Sequence, residues 1–234
     1  MRAVGGRAPT FALVLFPPLV SAAGQVKGRV AGYEKLTPPI YAEAQRSPTQ
    51  WFGWRVPWMS TARFPLVVSR DVCVVAISTK EPSALDPVLV RVTGGRTTPS
   101  TLVVAPNTKI VFKNVDPFAH DLILLPQANW SRGVQASGGS REWTPLQVGT
   151  YELRDELFSS VRTHIVVERN IAGYVYPSAR DGSFQLTLPP GEYALRAYFA
   201  GAAVSKLVAG VHVEGKGPAV ELKEPIVLAG GDTQ

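Results

Sequence analysis

The sequence predicts an all-β protein, and three observations carry that expectation. Gly and Pro are frequent (21 and 20 of 234 residues), which suits many tight turns. Apolar runs are short and rich in Val, and several alternate with polar residues, as half-buried strands do. Between residues 87 and 168 no 3.6-residue period is sustained, so long helices are excluded there.

The first 23 residues read as a targeting segment. Arg2 and Arg7 supply a positive start, residues 10–20 (TFALVLFPPLV) an apolar centre, and Ser21-Ala22-Ala23 the small residues that a signal peptidase accepts. Two prolines interrupt that apolar run, and it is too short to span a bilayer. The expectation is a cleaved signal over residues 1–23, a periplasmic or secreted mature protein starting near Gly24, and no transmembrane segment after cleavage.

Residues 24–32 alternate and end on Gly32, forming the first strand. Residues 35–65 are irregular, with prolines at 38, 39, 48, 57 and 65, and carry Trp51, Phe52, Trp54 and Trp58. Residues 66–78 give the next strand signal. Seven more follow at 88–92, 101–104, 109–114, 121–125, 142–145, 149–154 and 162–168. A last group covers 171–176, 183–188, 192–199, 206–214 and 219–227. Within it, Asp181 to Ala197 reads as a hairpin. An alternating strand meets the turn Pro189-Pro190-Gly191, and Tyr193, Leu195 and Ala197 share one face of the returning strand.

Hydrophobic residues make up 45% of the chain and charged ones 18%, which places it among globular proteins. The net charge is +6 and the pI about 9.6. Lys and Arg are scattered without forming a stripe, which argues against nucleic acid and for a solvated surface or loose attraction to an anionic envelope. Cys73 is the single cysteine, so no intrachain disulfide framework exists. It sits in the apolar run Val72 to Ile77, where a buried inert thiol is expected.

Residues 103–114 (VVAPNTKIVFKN), then Asp116 and His120, then Gly149-Thr150-Tyr151, together resemble the plastocyanin-like (cupredoxin) domain of exported bacterial proteins of the methylamine-utilisation type. Residues 181–197 resemble the carboxypeptidase-regulatory-like (transthyretin-like) modules, which are small β-sandwiches. The resemblances imply a cupredoxin-like Greek-key sandwich plus a second small Ig/transthyretin-like sandwich. One layout sets residues 85–168, the cupredoxin-like part, into a discontinuous sandwich of residues 24–84 and 169–232. A simple tandem, divided near residue 168, is the alternative.

The cupredoxin resemblance implies copper, and the residues argue against it. His120 matches the family's first ligand. The family's Cys-x-x-His-x-x-Met loop falls on Asp155, Phe158 and Val161, so the thiolate, the second imidazole and the thioether of a type 1 site are absent. A weaker copper or zinc site would draw on His120 and Asp155, with Asp116, Asp121 or Glu156 as further carboxylates. The alternative is that His120 is a structural hydrogen-bonding residue at the end of the sandwich. His164 and His212 lie inside strand patterns and read as exposed strand residues. No Gly-x-Ser-x-Gly elbow accompanies the serines, and Gly94-Gly95-Arg96 and Gly138-Gly139-Ser140 read as loops rather than phosphate cradles.

The expected function is therefore a non-enzymatic, exported binding or scaffolding module of the cell envelope with an envelope protein or polymer as partner and no cofactor. Weak metal binding or delivery through His120 and Asp155 is one alternative. Binding of a carbohydrate or envelope polymer through Trp51, Trp54 and Trp58 is another, because Trp and Arg suit stacking platforms and hot spots. The same rings would also serve to plug the open end of a sandwich or cover a seam between two β domains.

Overall fold

The computed structural model describes residues 23–38, 66–80, 85–215 and 217–229. The segment holding Trp51, Trp54 and Trp58, and residues 1–22 of the expected signal, lie outside the described residues.

In chain order the early strands are β1 (Gly24–Ala31) and β2 (Val72–Ser78), separated by a short helix α1 (Val68–Asp71) that leads into β2. A middle group follows: β3 (Val88–Thr93), β4 (Arg96–Thr98), β5 (Thr101–Val104), β6 (Ile110–Asn114), β7 (His120–Leu125), β8 (Gly133–Gln135), β9 (Ser140–Trp143), β10 (Gly149–Asp155) and β11 (Arg162–Val167). The last group is β12 (Ile171–Val175), β13 (Ser183–Leu188), β14 (Gly191–Phe199), β15 (Ala202–Ala203), β16 (Val208–Val213), β17 (Val220–Glu221) and β18 (Ile226–Val227).

These strands form four sheets. Two are made wholly from the middle group: β4-β3-β6-β9, and β5-β11-β10-β7-β8. They face each other across a core of Val90, Leu102, Ile110, Phe112, Leu122, Leu153 and Ile165. The other two combine strands from both ends of the chain. β1 lies between β13 and the short parallel strands β17 and β18, while β2 lies between β12 and β14. Their shared core contains Val26, Val74, Leu188, Leu195 and Ile226. The all-β expectation holds, in the form of two sandwiches.

A third apolar cluster joins the sandwiches. Cys73 and Val75 of β2, with Ile171 and Tyr198, pack on Val103 of β5 and Val166 of β11. Because side chains alternate along a strand, Val72, Val74 and Ala76 face one core while Cys73 and Val75 face the seam. This two-sided burial explains why the sequence there is a continuous apolar run rather than an alternating one.

The expected strand over residues 66–78 is shorter than predicted, because α1 takes its first part. Both Asp71 carboxylate oxygens are occupied: they accept the Val67 N–H (2.9 Å), two Arg70 guanidinium N–H bonds (2.7 and 3.0 Å) and the Ser100 hydroxyl (2.6 Å). That local bonding outweighs the strand preference of Leu66, Val67 and Val68. The expected strand over residues 219–227 is two separate pairs flanking β1.

Candidate functional site

The site lies where β6 ends and β7 begins. Asn114 closes β6 and fixes the connection: its amide N–H groups reach the carbonyls of Phe118 (2.8 Å), Gln135 and Ala136 (both 3.1 Å). Its side-chain oxygen accepts the Asp116 N–H at 2.9 Å, an Asx-type turn that sets the direction of the loop. His120, the first residue of β7, is fully buried. β10 runs antiparallel to β7 with Asp155 opposite Leu122, which brings the last residue of β10 beside the imidazole.

Both ring nitrogens of His120 face a carboxylate. Nδ1 lies 2.7 Å from Oδ2 of Asp155, and Nε2 lies 3.1 Å from Oδ2 of Asp116. The second oxygen of Asp155 accepts the N–H groups of Leu157 (2.7 Å) and Phe158 (2.9 Å). Asp116 accepts the N–H groups of Gly94 and Gly95, the latter at 2.9 Å. Burial pushes the Asp116 carboxyl upward, but the N–H groups of Gly95 and Gly94 and the neighbouring His120 outweigh it, and its pKa falls below the ordinary carboxylate value.

Gly94 and Gly95 both have positive φ (61° and 65°), the conformation of the two-residue turn that joins β3 to β4. The pair does cradle an anion, but the anion is an internal side chain. Above the triad lie Phe118 and Phe158, with centroids 5.1 and 5.4 Å from the imidazole and 5.0 Å from each other.

The structure thus joins His120, Asp155 and Asp116 and separates the other two carboxylates from them. Asp121 and Glu156 are both bridged by Arg132 at the surface. Phe158 and Val161, at the family's second His and Met positions, offer no metal donor, and Val161 is fully buried in the core. A type 1 copper site needs two imidazoles and a thiolate converging on one point. Here one imidazole has a carboxylate at each end, so the two acidic groups diverge from the ring. Among the described residues, no three His, Cys, Asp or Glu side chains are grouped to hold a metal. The donor set does not fit copper.

Cys73 lies in the seam between the sandwiches, where burial pushes its thiol up to about 12. His164 sits half-buried in β11, and His212 is exposed and paired with Glu192 across β14 and β16. Sequence reasoning gave Asn114, a landmark of the resemblance, and Phe118 no role of their own, and it missed Arg132. The first two had a local signal in their spacing ahead of His120, whereas Arg132 is remote in sequence from Glu156.

No protein-family model and no curated protein matches the sequence. Among solved structures, a Cu(I) form of an amicyanin variant aligns with 40% of this chain and 98% of its own, at 16% identity and a TM-score of 0.33. A purple cupredoxin from Nitrosopumilus maritimus covers 35% of this chain and 99% of its own at 16% identity and a TM-score of 0.31. The Cu-containing nitrite reductase of Thermus scotoductus SA-01 covers 46% of this chain and 28% of its own at 22% identity and a TM-score of 0.31. At these low TM-scores the likenesses carry no argument, and fold and activity are argued from the residues.

Proposed function

We propose that this chain is an exported, non-enzymatic binding module of the cell envelope that docks a protein partner on the end of its cupredoxin-like sandwich. One observation carries the reading. Val115, Phe118, Leu157 and Phe158 are exposed (51%, 41%, 73% and 37%) on the two loops that enclose the triad. Phe118 and Phe158 are in contact, so their loops present one apolar surface. The Arg132, Asp121 and Glu156 ion pairs lie beside it. An apolar centre with a charged margin is the composition of a protein-binding patch, and loops already fixed by buried hydrogen bonds lose little entropy on docking.

The same geometry disfavours catalysis and metal delivery at this end. His120 has no exposed surface and neither ring nitrogen is open, so it reaches no substrate without losing a carboxylate partner.

The test is site-specific photo-crosslinking in the envelope. A photoreactive side chain at Leu157 is expected to trap one discrete partner, whereas the same group at Val227, exposed on β18, traps none. Leu157→Asp should abolish partner binding with a stability change within about 0.5 kcal/mol, since the side chain is largely exposed. Equal trapping at both positions, or none at either, would sink the reading.

A further inference from the structure

We infer that β13 is a docking edge for an extended, acidic peptide segment of a partner protein, which adds a strand beside β13 and places a carboxylate next to Lys27. This edge belongs to the sandwich built from the two ends of the chain, so the inference goes beyond the partner reading above and does not depend on it.

An open sheet edge presents unpaired N–H and C=O groups, and proteins blunt such edges with short strands, bulges, charges or prolines. Among the described residues every edge but one is blunted or covered. β4 and β8 have three residues each, and β15, β17 and β18 have two. β9 has four, of which Arg141 and Glu142 are charged, and β5 is wholly buried. β12 and β16 carry register shifts against β2 and β14, and β16 contains the left-handed Gly210 (φ 75°). β13 is the exception. It runs for six residues in unbroken antiparallel register with β1 and holds neither a charge nor a proline.

The direction of its main-chain groups follows from that pairing. The Val30 N–H donates to the Gly182 carbonyl at 2.9 Å, so Gly182 and, by alternation, Phe184, Leu186 and Leu188 turn their main chain toward β1. Ser183, Gln185 and Thr187 turn theirs outward. The start of the edge is closed, because the Ser183 carbonyl accepts the Ser178 N–H (2.7 Å) and the Ser183 N–H donates to Oδ1 of Asp181 (3.1 Å). Gln185 and Thr187 are exposed, and their N–H and C=O groups meet no partner among the described residues. One added strand would satisfy all four groups.

The chemistry of the occupant comes from the cleft along this edge. It measures about 430 Å³, and Lys27, Tyr176, Ser178, Ser183 and Gln185 stand in its wall. Lys27 is the one charged residue of that wall and is exposed, directly opposite Gln185 on β1. Its register neighbour Glu221 lies on the other side, in β17, away from β13. Arg29, opposite Ser183, acts on the charge of Asp181. An ammonium beside two hydroxyls and an amide favours a carboxylate side chain, and the net charge of +6 attracts an acidic segment from a distance.

The experiment selects a random peptide library displayed on phage against the full chain, then maps the best synthetic peptide by amide hydrogen exchange on the 15N-labelled protein. The expected peptides alternate apolar and polar residues around one acidic position and slow exchange at Gln185 and Thr187. Gln185→Pro removes one outward N–H and should weaken binding about tenfold. Lys27→Glu, a surface change that leaves the main chain intact, should weaken it by a similar factor. A library that yields no binder, or peptides that both variants hold as tightly as the parent, would overturn the proposal. So would slow exchange at Gln185 and Thr187 with no peptide present. If lost on dilution, it marks a second copy of the chain as the occupant; if retained, a segment of the same chain.

Discussion

At the residue scale, the triad makes stability depend on pH in a defined direction. The folded-state pKa of Asp116 lies below its unfolded value, which is about 3.9 for an aspartate. Its contribution is therefore fully present above about pH 4 and is lost as pH falls through the lower, folded value. Urea melts between pH 5 and pH 2 should show a falling midpoint, with a shallower fall in Asp116→Asn. Cys73 gives a second expectation. Its thiol is fully buried and its pKa is about 12, so almost no thiolate forms at pH 8. An aromatic disulfide reagent should leave the folded protein unlabelled and react once it is unfolded.

At the element scale, the β3–β4 turn is the part most exposed to a single change. Gly94 has φ +61° and nothing within 4 Å of an added Cβ, so a substitution there meets backbone strain and no clash. Gly94→Ala should cost about 1–2 kcal/mol, the penalty of a left-handed L-residue, and loosen the N–H bond to Asp116. Gly133→Ala is the control: its surroundings are equally open, its φ is not positive, and its melting temperature should barely move. Most strands were legible because a period of two reveals a half-buried strand directly. The exceptions have local causes. β4 and β8 have three residues each, too few to show a period, and α1 depends on Asp71 meeting Ser100 from a distant loop.

At the scale of the whole molecule, the seam decides how the protein unfolds. Cys73, Val75, Val103, Val166, Ile171 and Tyr198 exclude water between the two sandwiches. Hydrogen bonds across the seam add orientation: Tyr176 donates to the Thr101 carbonyl at 3.0 Å, and the Ala200 N–H donates to the Thr101 hydroxyl at 3.0 Å. An apolar seam of this kind couples its two sides, so calorimetry should record one transition for the intact chain. Val103→Asp, which places an unpaired charge in that seam, should separate it into two. Tyr198→Phe removes the donor to Glu168 (2.7 Å) and should cost about 1–2 kcal/mol without uncoupling the halves.

The amino-acid sequence by itself determined the all-β class, most strand positions and the candidates His120 and Asp155. The class and the strands rest on local periodicity, which a linear chain displays, and the two candidates on the cupredoxin resemblance. It also showed that a thiolate, a second imidazole and a thioether are missing, since absent residue types need no geometry. Only the tertiary structure decided what His120 does. Asp116 is four residues before it and Asp155 thirty-five after it, and they meet its two nitrogens because β7 pairs with β10 and the β3–β4 turn folds over the loop. Which partner each nitrogen finds is a property of strand pairing, and pairing partners are chosen by the packing of the whole sandwich.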